Sequence, residues 1–199
     1  MRIEAIPDSP DYCRLSDIAG ISVDLRYATP NNFVGRVLYG ELDCAWLHKN
    51  AASALELSVA RLHAARPDLR LLVLDALRPQ RVQEQLWTAL QGTGLLTYLA
   101  DPARGSIHSF GMALDVTLID AAGRELDMGT PFDDLSALSH PTLEEGLLAA
   151  GKLSAAQVAN RRLLRAAMEH GGWRGIHTEW WHFDCGDRDS VRAEYVRIL

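Results

Sequence analysis

Two histidines and two carboxylates carry the clearest chemistry in this chain, and they fall in two short, well-separated stretches. His108 and Asp115 lie within the run SIHSFGMALD from Ser106 to Asp115, and Glu179 and His182 lie within TEWWHFD from Thr178 to Asp184. Imidazole and carboxylate are the donors of zinc hydrolases. Such sites use three protein ligands, keep a position open for water, and place a separate carboxylate to take that water's proton. His108, Asp115 and His182 would be the ligands, and Glu179 the base. Taken alone, the first stretch reads equally well as a surface strand whose polar side meets water.

The element that must position Asp115 is a strand over Gly111 to Leu118. Side chains alternate faces along a strand. Met112, Leu114, Val116 and Leu118 form one apolar face, whereas Gly111, Ala113, Asp115 and Thr117 are small or polar. One face would pack on a core and the other would leave room around a carboxylate. The aromatic downstream stretch also favours a strand. Within a regular strand, Glu179 and His182 would point to opposite faces. Both reach one metal only if Glu179 sits at the strand's entry or at a bulge, a common device beside active sites.

The pattern S-x-H-x-x-G-x-A-x-D followed by E-x-W-H resembles the zinc peptidases related to D-Ala-D-Ala carboxypeptidases, and most closely the D-Ala-D-Ala dipeptidases of the vancomycin-resistance type. Similar segments include Asp24 to Thr29 with Asn31, Asn32 and Phe33, then Asp75 to Pro79, Met128 and Gly129 with Phe132 and Asp133, and Asn160 to Arg162. One departure stands out: the family often has an arginine where this chain has Phe110. The resemblance implies one zinc ion per chain and a small-molecule substrate, D-Ala-D-Ala, cleaved to two D-alanines by a zinc-activated water. It implies that Arg78 stabilises the oxyanion, that Asp133 receives the substrate ammonium, and that Ser106 and Tyr27 contact the substrate. A peptidoglycan carboxypeptidase or endopeptidase is the nearest alternative. A zinc-containing binding domain without catalysis is a third, disfavoured by the presence of Glu179 and Arg78.

The elements around these residues read as a single α+β domain over residues 1–199. A small, mainly antiparallel sheet would carry the metal residues, with helices packed against it. Ile18 to Tyr27 reads as an early strand, Trp46 to Arg66 as a helix ended by Pro67, and Leu69 to Leu77 as a buried strand. Pro79 opens a second helix with Val82, Leu86, Trp87 and Leu90 on its apolar face. Arg78 therefore lies at a rigid junction, where its plain role is a salt bridge to a nearby carboxylate; read as functional, its removal is expected to lower turnover with little change in melting temperature. Asp120 to Gly123 reads as a hairpin turn with Glu125 and Leu126 beginning a return strand. Thr142 with Glu145 and Ser154 with Gln157 resemble capping boxes that begin two more helices. Asn160, Arg161, Arg162 and Arg165 read either as a solvated face or as support behind the site. His48, His63, His140, His177 and Cys185 are read as non-ligands.

Composition narrows the partners. The chain has 199 residues, 48% of them hydrophobic, and a net charge of −6 with acidic and basic residues interspersed. That fits one globular core and offers no basic nucleic-acid face. No apolar run of about 18 residues suggests a membrane span, and the N-terminal residues lack the apolar core of a secretion signal. A cytoplasmic location is expected. Three cysteines, Cys13, Cys44 and Cys185, are an odd set without close pairing, as for thiols in a reducing compartment.

Overall fold

The computed structural model describes residues 1–199. Its centre is the strand β5, Ala113–Ile119, and all seven of its residues are buried. Along the chain come β1 (Tyr12–Arg14), β2 (Ile21–Val23), β3 (Trp46–His48), α1 (Lys49–Ala65), β4 (Arg70–Asp75) and α2 (Gln80–Leu90). After β5 follow α3 (Glu144–Ala149), α4 (Ala155–His170), β6 (Trp173–Gly175), β7 (His182–Cys185) and α5 (Arg188–Glu194). Five strands form one sheet in the order β2-β4-β5-β7-β6, and β1 pairs with β3 in a separate two-stranded ribbon. Only β2 and β4 run parallel in the large sheet; the other neighbours are antiparallel. No helix is long and apolar enough to cross a membrane.

Register explains how the sheet comes to have one apolar and one chemical face. Leu118 pairs with Leu71, Val116 with Val73 and Leu114 with Phe183. This apolar face packs under α1 and α4, where Leu55, Leu62, Leu164 and Met168 join the same core cluster. On the opposite face Asp115 pairs with Asp75 on β4 and with His182 on β7. A shift in register between Val73 and Asp75 sets that alignment. The result is a row of ionisable groups across three adjacent strands. Ala113 faces Asp184 across the β5–β7 pair, and its small side chain leaves space for that carboxylate.

The α+β reading and the helices on the far face agree with this arrangement; several details differ. The polar face of β5 is not a wet surface: Asp115 and Thr117 are as buried as their apolar neighbours. The early strand is reduced to Ile21–Val23, flanked by 3-10 turns at Leu15–Asp17 and Arg26–Ala28. Trp46, Leu47 and His48 belong to β3, not to the helix. Their helical spacing is overridden by pairing with Tyr12 to Arg14, and the His48 side chain then caps α1 by accepting from the Asn50 N–H at 3.2 Å. The return after β5 is a single bridge, Ile119 to Glu125, with no strand. Ser154 and Gln157 form a true capping box on α4. Thr142 does not cap α3: its hydroxyl donates to the His177 carbonyl at 3.5 Å, and a 3-10 turn at Pro141–Leu143 precedes the helix.

Candidate active site

His108 reaches the site from a 3-10 turn, Ile107–Phe110, which Gly111 closes in the left-handed conformation at φ 67°. A side chain at Gly111 would meet the His48 backbone nitrogen at 2.9 Å, so glycine is required both by the turn and by the close approach. The His108 Nδ1–H donates to the Ala76 carbonyl at 2.7 Å, which leaves Nε2 free. His182 is oriented the other way round: its Nε2 lies 2.9 Å from Asp184 Oδ1 and its Nδ1 3.0 Å from Asp115 Oδ1. The free His108 Nε2 is 3.2 Å from His182 Nδ1 and 3.5 Å from Asp115 Oδ1. These three buried residues offer ligand atoms within 4.8 Å of one another.

That donor set fits a divalent metal. Each imidazole has its outer nitrogen fixed by an acceptor, the usual arrangement behind a ligating histidine. Asp115 stays ionised: burial opposes its charge, but His108 and His182 outweigh it and hold the carboxyl far below its usual range. Asp184 behaves similarly. Burial would raise it, yet His182 and Arg188 lower it to about 2. Asp184 is the residue that sequence reasoning passed over. The available signal was position, since it follows His182 by two on a strand and so shares its face.

Glu179 lies in the bend before β7, not within it. It therefore meets the entry condition that its spacing from His182 demands. Burial pushes its carboxyl up to about 7, with Asp115 adding to the rise and His182 and Arg78 opposing it. Trp180 and Trp181 beside it are buried walls, packed edge to face at 5.3 Å.

Arg78 arrives at the end of β4 and is 5% exposed. Its Nε donates to Asp75 Oδ2 at 2.8 Å, one terminal nitrogen to Gln83 Oε1 at 3.1 Å, and the other to Asp115 Oδ2 at 3.3 Å. Asp75 is fully buried and also accepts from the Tyr39 hydroxyl. This changes the expectation for Arg78. Removing one partner of a buried ion pair typically costs about 3–5 kcal/mol, because the other charge is left uncompensated. Arg78→Ala should thus lose stability by that order as well as turnover, measured as a drop in melting temperature alongside kcat. An unchanged melting temperature would show that Asp75 finds another partner.

A cavity of about 290 Å³ opens over these groups, lined among others by Arg78, His108, Asp115, Glu179 and His182. Ser106, Tyr27 and Asp133 line it too. Ser106 is 5% exposed at the start of the His108 turn. Tyr27 is a core residue with its ring against Phe33, Tyr39 and Phe132, and its hydroxyl donates to Asp133 Oδ1 at 3.1 Å. The Phe33 N–H donates to Asp133 Oδ2 at 3.3 Å. Asp133 holds a left-handed backbone at φ 64°, uncommon outside glycine and a mark of a constrained site. Burial, with Asp115 adding, pushes its carboxyl well above the usual range despite Arg78 and these two donors. Its neighbour Asp134 does not line this cavity. Phe110 does not either; it is 1% exposed and packed under the Arg197 guanidinium.

Behind the cavity, Arg161 is 1% exposed, the supporting role and not the solvated one. Its Nε donates to the Met128 carbonyl at 2.6 Å and a terminal nitrogen to the Leu138 carbonyl at 3.0 Å. It also donates to Thr130 Oγ1 at 3.4 Å, which accepts from Trp180 Nε1 at 2.8 Å. Arg161 thereby ties the loop carrying Asp133 to the arm carrying Glu179.

Residues 14–198 match the M15 peptidase family described as D-Ala-D-Ala dipeptidase. The chain belongs to this family. It is 39% identical to the D-alanyl-D-alanine dipeptidase of Escherichia coli (strain K12) over 180 residues, spanning 87% of this chain and 86% of that one. The D-alanyl-D-alanine dipeptidase of Enterococcus faecalis (strain ATCC 700802 / V583) is 31% identical over 187 residues, 84% of this chain and 87% of its own. That of Enterococcus faecium is 31% identical over 188 residues, 85% and 88% of the two chains. The buried His-Asp-His set and Glu179 line the cavity together with Asp133, His177 and Asp184.

Proposed function

We propose that this chain hydrolyses the free dipeptide D-Ala-D-Ala, with one zinc ion held by His108 Nε2, Asp115 and His182 Nδ1. The observation that carries the substrate reading is Asp133. Its carboxylate lines the cavity, accepts from a hydroxyl and an amide, and has no cation of the protein within salt-bridge distance. A substrate ammonium is the missing counter-charge. Two imidazoles and a carboxylate suit zinc among divalent metals, and a bound zinc ion acidifies water and polarises a carbonyl.

The chain's own groups do the rest. Asp133, held by Tyr27 and Phe33, fixes the ammonium end, with Ser106 on the same cavity wall. That placement brings the peptide carbonyl towards Arg78, whose fixed guanidinium stabilises charge growing on the carbonyl oxygen. Glu179 takes a proton from the attacking water and returns one to the leaving amine. A pKa near neutrality suits both tasks.

A peptidase that trims longer peptides would present an amide where the dipeptide has its ammonium, so acetylation of the substrate separates the readings. D-Ala-D-Ala is expected to be a good substrate, and N-acetyl-D-Ala-D-Ala and a D-Ala-D-Ala-terminated pentapeptide poor ones. Asp133→Ala should harm the free dipeptide by roughly 10- to 100-fold, the worth of a charge-assisted hydrogen bond, and the acetylated one far less. Equal kcat/KM for the free and acetylated dipeptides in the unaltered protein would instead assign the chain to the carboxypeptidases.

A further inference from the structure

The dipeptide has a second charge, and a series of contacts leads from Asp133 to an arginine that also lines the cavity. Contacts order the site from one end to the other. Asp133 meets the Tyr27 hydroxyl, the Tyr27 ring lies 4.9 Å below the Arg78 guanidinium, and Arg78 meets Asp115. Asp115 then meets His182, His182 meets Asp184, and Asp184 Oδ2 accepts from Arg188 Nε at 2.6 Å. Asp133 and Arg188 therefore cap opposite ends of the series, and both line the cavity.

Three arginines line the cavity, and their hydrogen bonds distinguish them. All three nitrogens of Arg78 are engaged, by Asp75, Gln83 and Asp115. Arg192 donates through Nε to the Gly105 carbonyl at 3.2 Å and through a terminal nitrogen to Asp189 at 3.3 Å. Arg188 uses Nε alone, for Asp184, and neither of its terminal nitrogens makes a hydrogen bond to the protein. Its side chain is 49% exposed, at the mouth and not in the core. An anchored Nε with two free terminal nitrogens is a planar donor set suited to a carboxylate. Asp184, the acidic group beside it, already faces His182 and Nε and is shared between them.

We infer that Arg188 recognises the C-terminal carboxylate of the dipeptide, with Arg192 adding positive charge beside it. The inference rests on the dipeptidase reading above. The peptide bond then lies between two recognised charges, the ammonium at Asp133 and the carboxylate at Arg188, with the metal ligands between. A dipeptide satisfies both ends at once. A peptide extended beyond its C-terminus loses the contact at Arg188.

The competing role for Arg188 is to hold Asp184, and through it His182, which touches no substrate. Removing the charge from the substrate separates the two roles. kcat/KM is measured for D-Ala-D-Ala and for D-alanyl-D-alaninamide, with the unaltered protein and with Arg188→Ala, metal content being checked in each. The unaltered protein should prefer the free acid. Arg188→Ala should reduce that preference by roughly 10- to 100-fold, the contribution expected of hydrogen bonds between charged groups, and Arg188→Lys should restore part of it. Equal losses on acid and amide would reduce Arg188 to a positioning residue for Asp184 and overturn the assignment. Equal rates on both substrates before any substitution would overturn it as well. Failure of the unaltered, metal-loaded protein to cleave either substrate would be a different result: it would remove the dipeptidase reading itself and the inference with it.

Discussion

Glu179→Gln is expected to keep its metal and to lose hydrolysis by roughly 10²–10⁴-fold, the usual contribution of a positioned general base. The substitution is nearly isosteric, and Glu179 is outside the His108–Asp115–His182 ligand set, so metal content should not follow activity. Its charge state also gives a sign for the pH dependence. Burial pushes Glu179 up to about 7, and a nearby divalent cation draws a carboxylate down again. The base works only when ionised, so kcat/KM should fall as pH drops through the acid side of neutrality. The small residual rate of Glu179→Gln should lack that limb. Near-normal turnover in the variant would move the base elsewhere.

The second large effect belongs to the ligands. His108→Ala or His182→Ala removes one of three donors from a buried cluster, and both should abolish activity together with most of the bound metal. Asp184→Asn should be intermediate. It leaves the ligands in place but alters the acceptor that fixes the His182 ring at 2.9 Å, and such changes typically cost about 10- to 100-fold in metal affinity or activity. Elemental analysis of the purified variants, with dipeptide turnover on the same samples, decides the point. Full metal in both histidine variants would refute the ligand set.

These residues stand out because ligand chemistry and strand alternation are readable within short stretches. The alternation along β5 places Asp115 on the face opposite Leu114 and Val116, and pairing with β7 brings His182 beside it. The three-residue offset means that Glu179 and His182 reach one metal only if Glu179 sits at the strand's entry or at a bulge, and Glu179 does precede β7. What was not legible depends on burial and pairings that spacing alone does not reveal. Trp46 to His48 continues the helical spacing of α1, and only pairing with Tyr12 to Arg14 pulls it into a strand. For Arg78 a salt bridge to a nearby carboxylate is readable as an alternative to an active role, but not that Asp75, Gln83 and Asp115 together engage all three of its nitrogens. Arg161 lies in a run of basic residues that reads equally as a solvated face or as support behind the site. Its burial is set by the carbonyls of Met128 and Leu138, which no spacing rule connects to it.

The buried Arg161 makes two parts of the enzyme into one. Met128 and Leu138 bracket the segment that carries Asp133, and Thr130 within it also holds Trp180, the neighbour of Glu179. Regions that share buried hydrogen bonds open as cooperative units. The grip on the substrate's ammonium and the aim of the base should accordingly be lost together. An excursion that loosens the loop should therefore also loosen the arm that carries Glu179. The same linkage should limit adaptation: a change in the loop that accepts a different amino end should also be felt at Glu179.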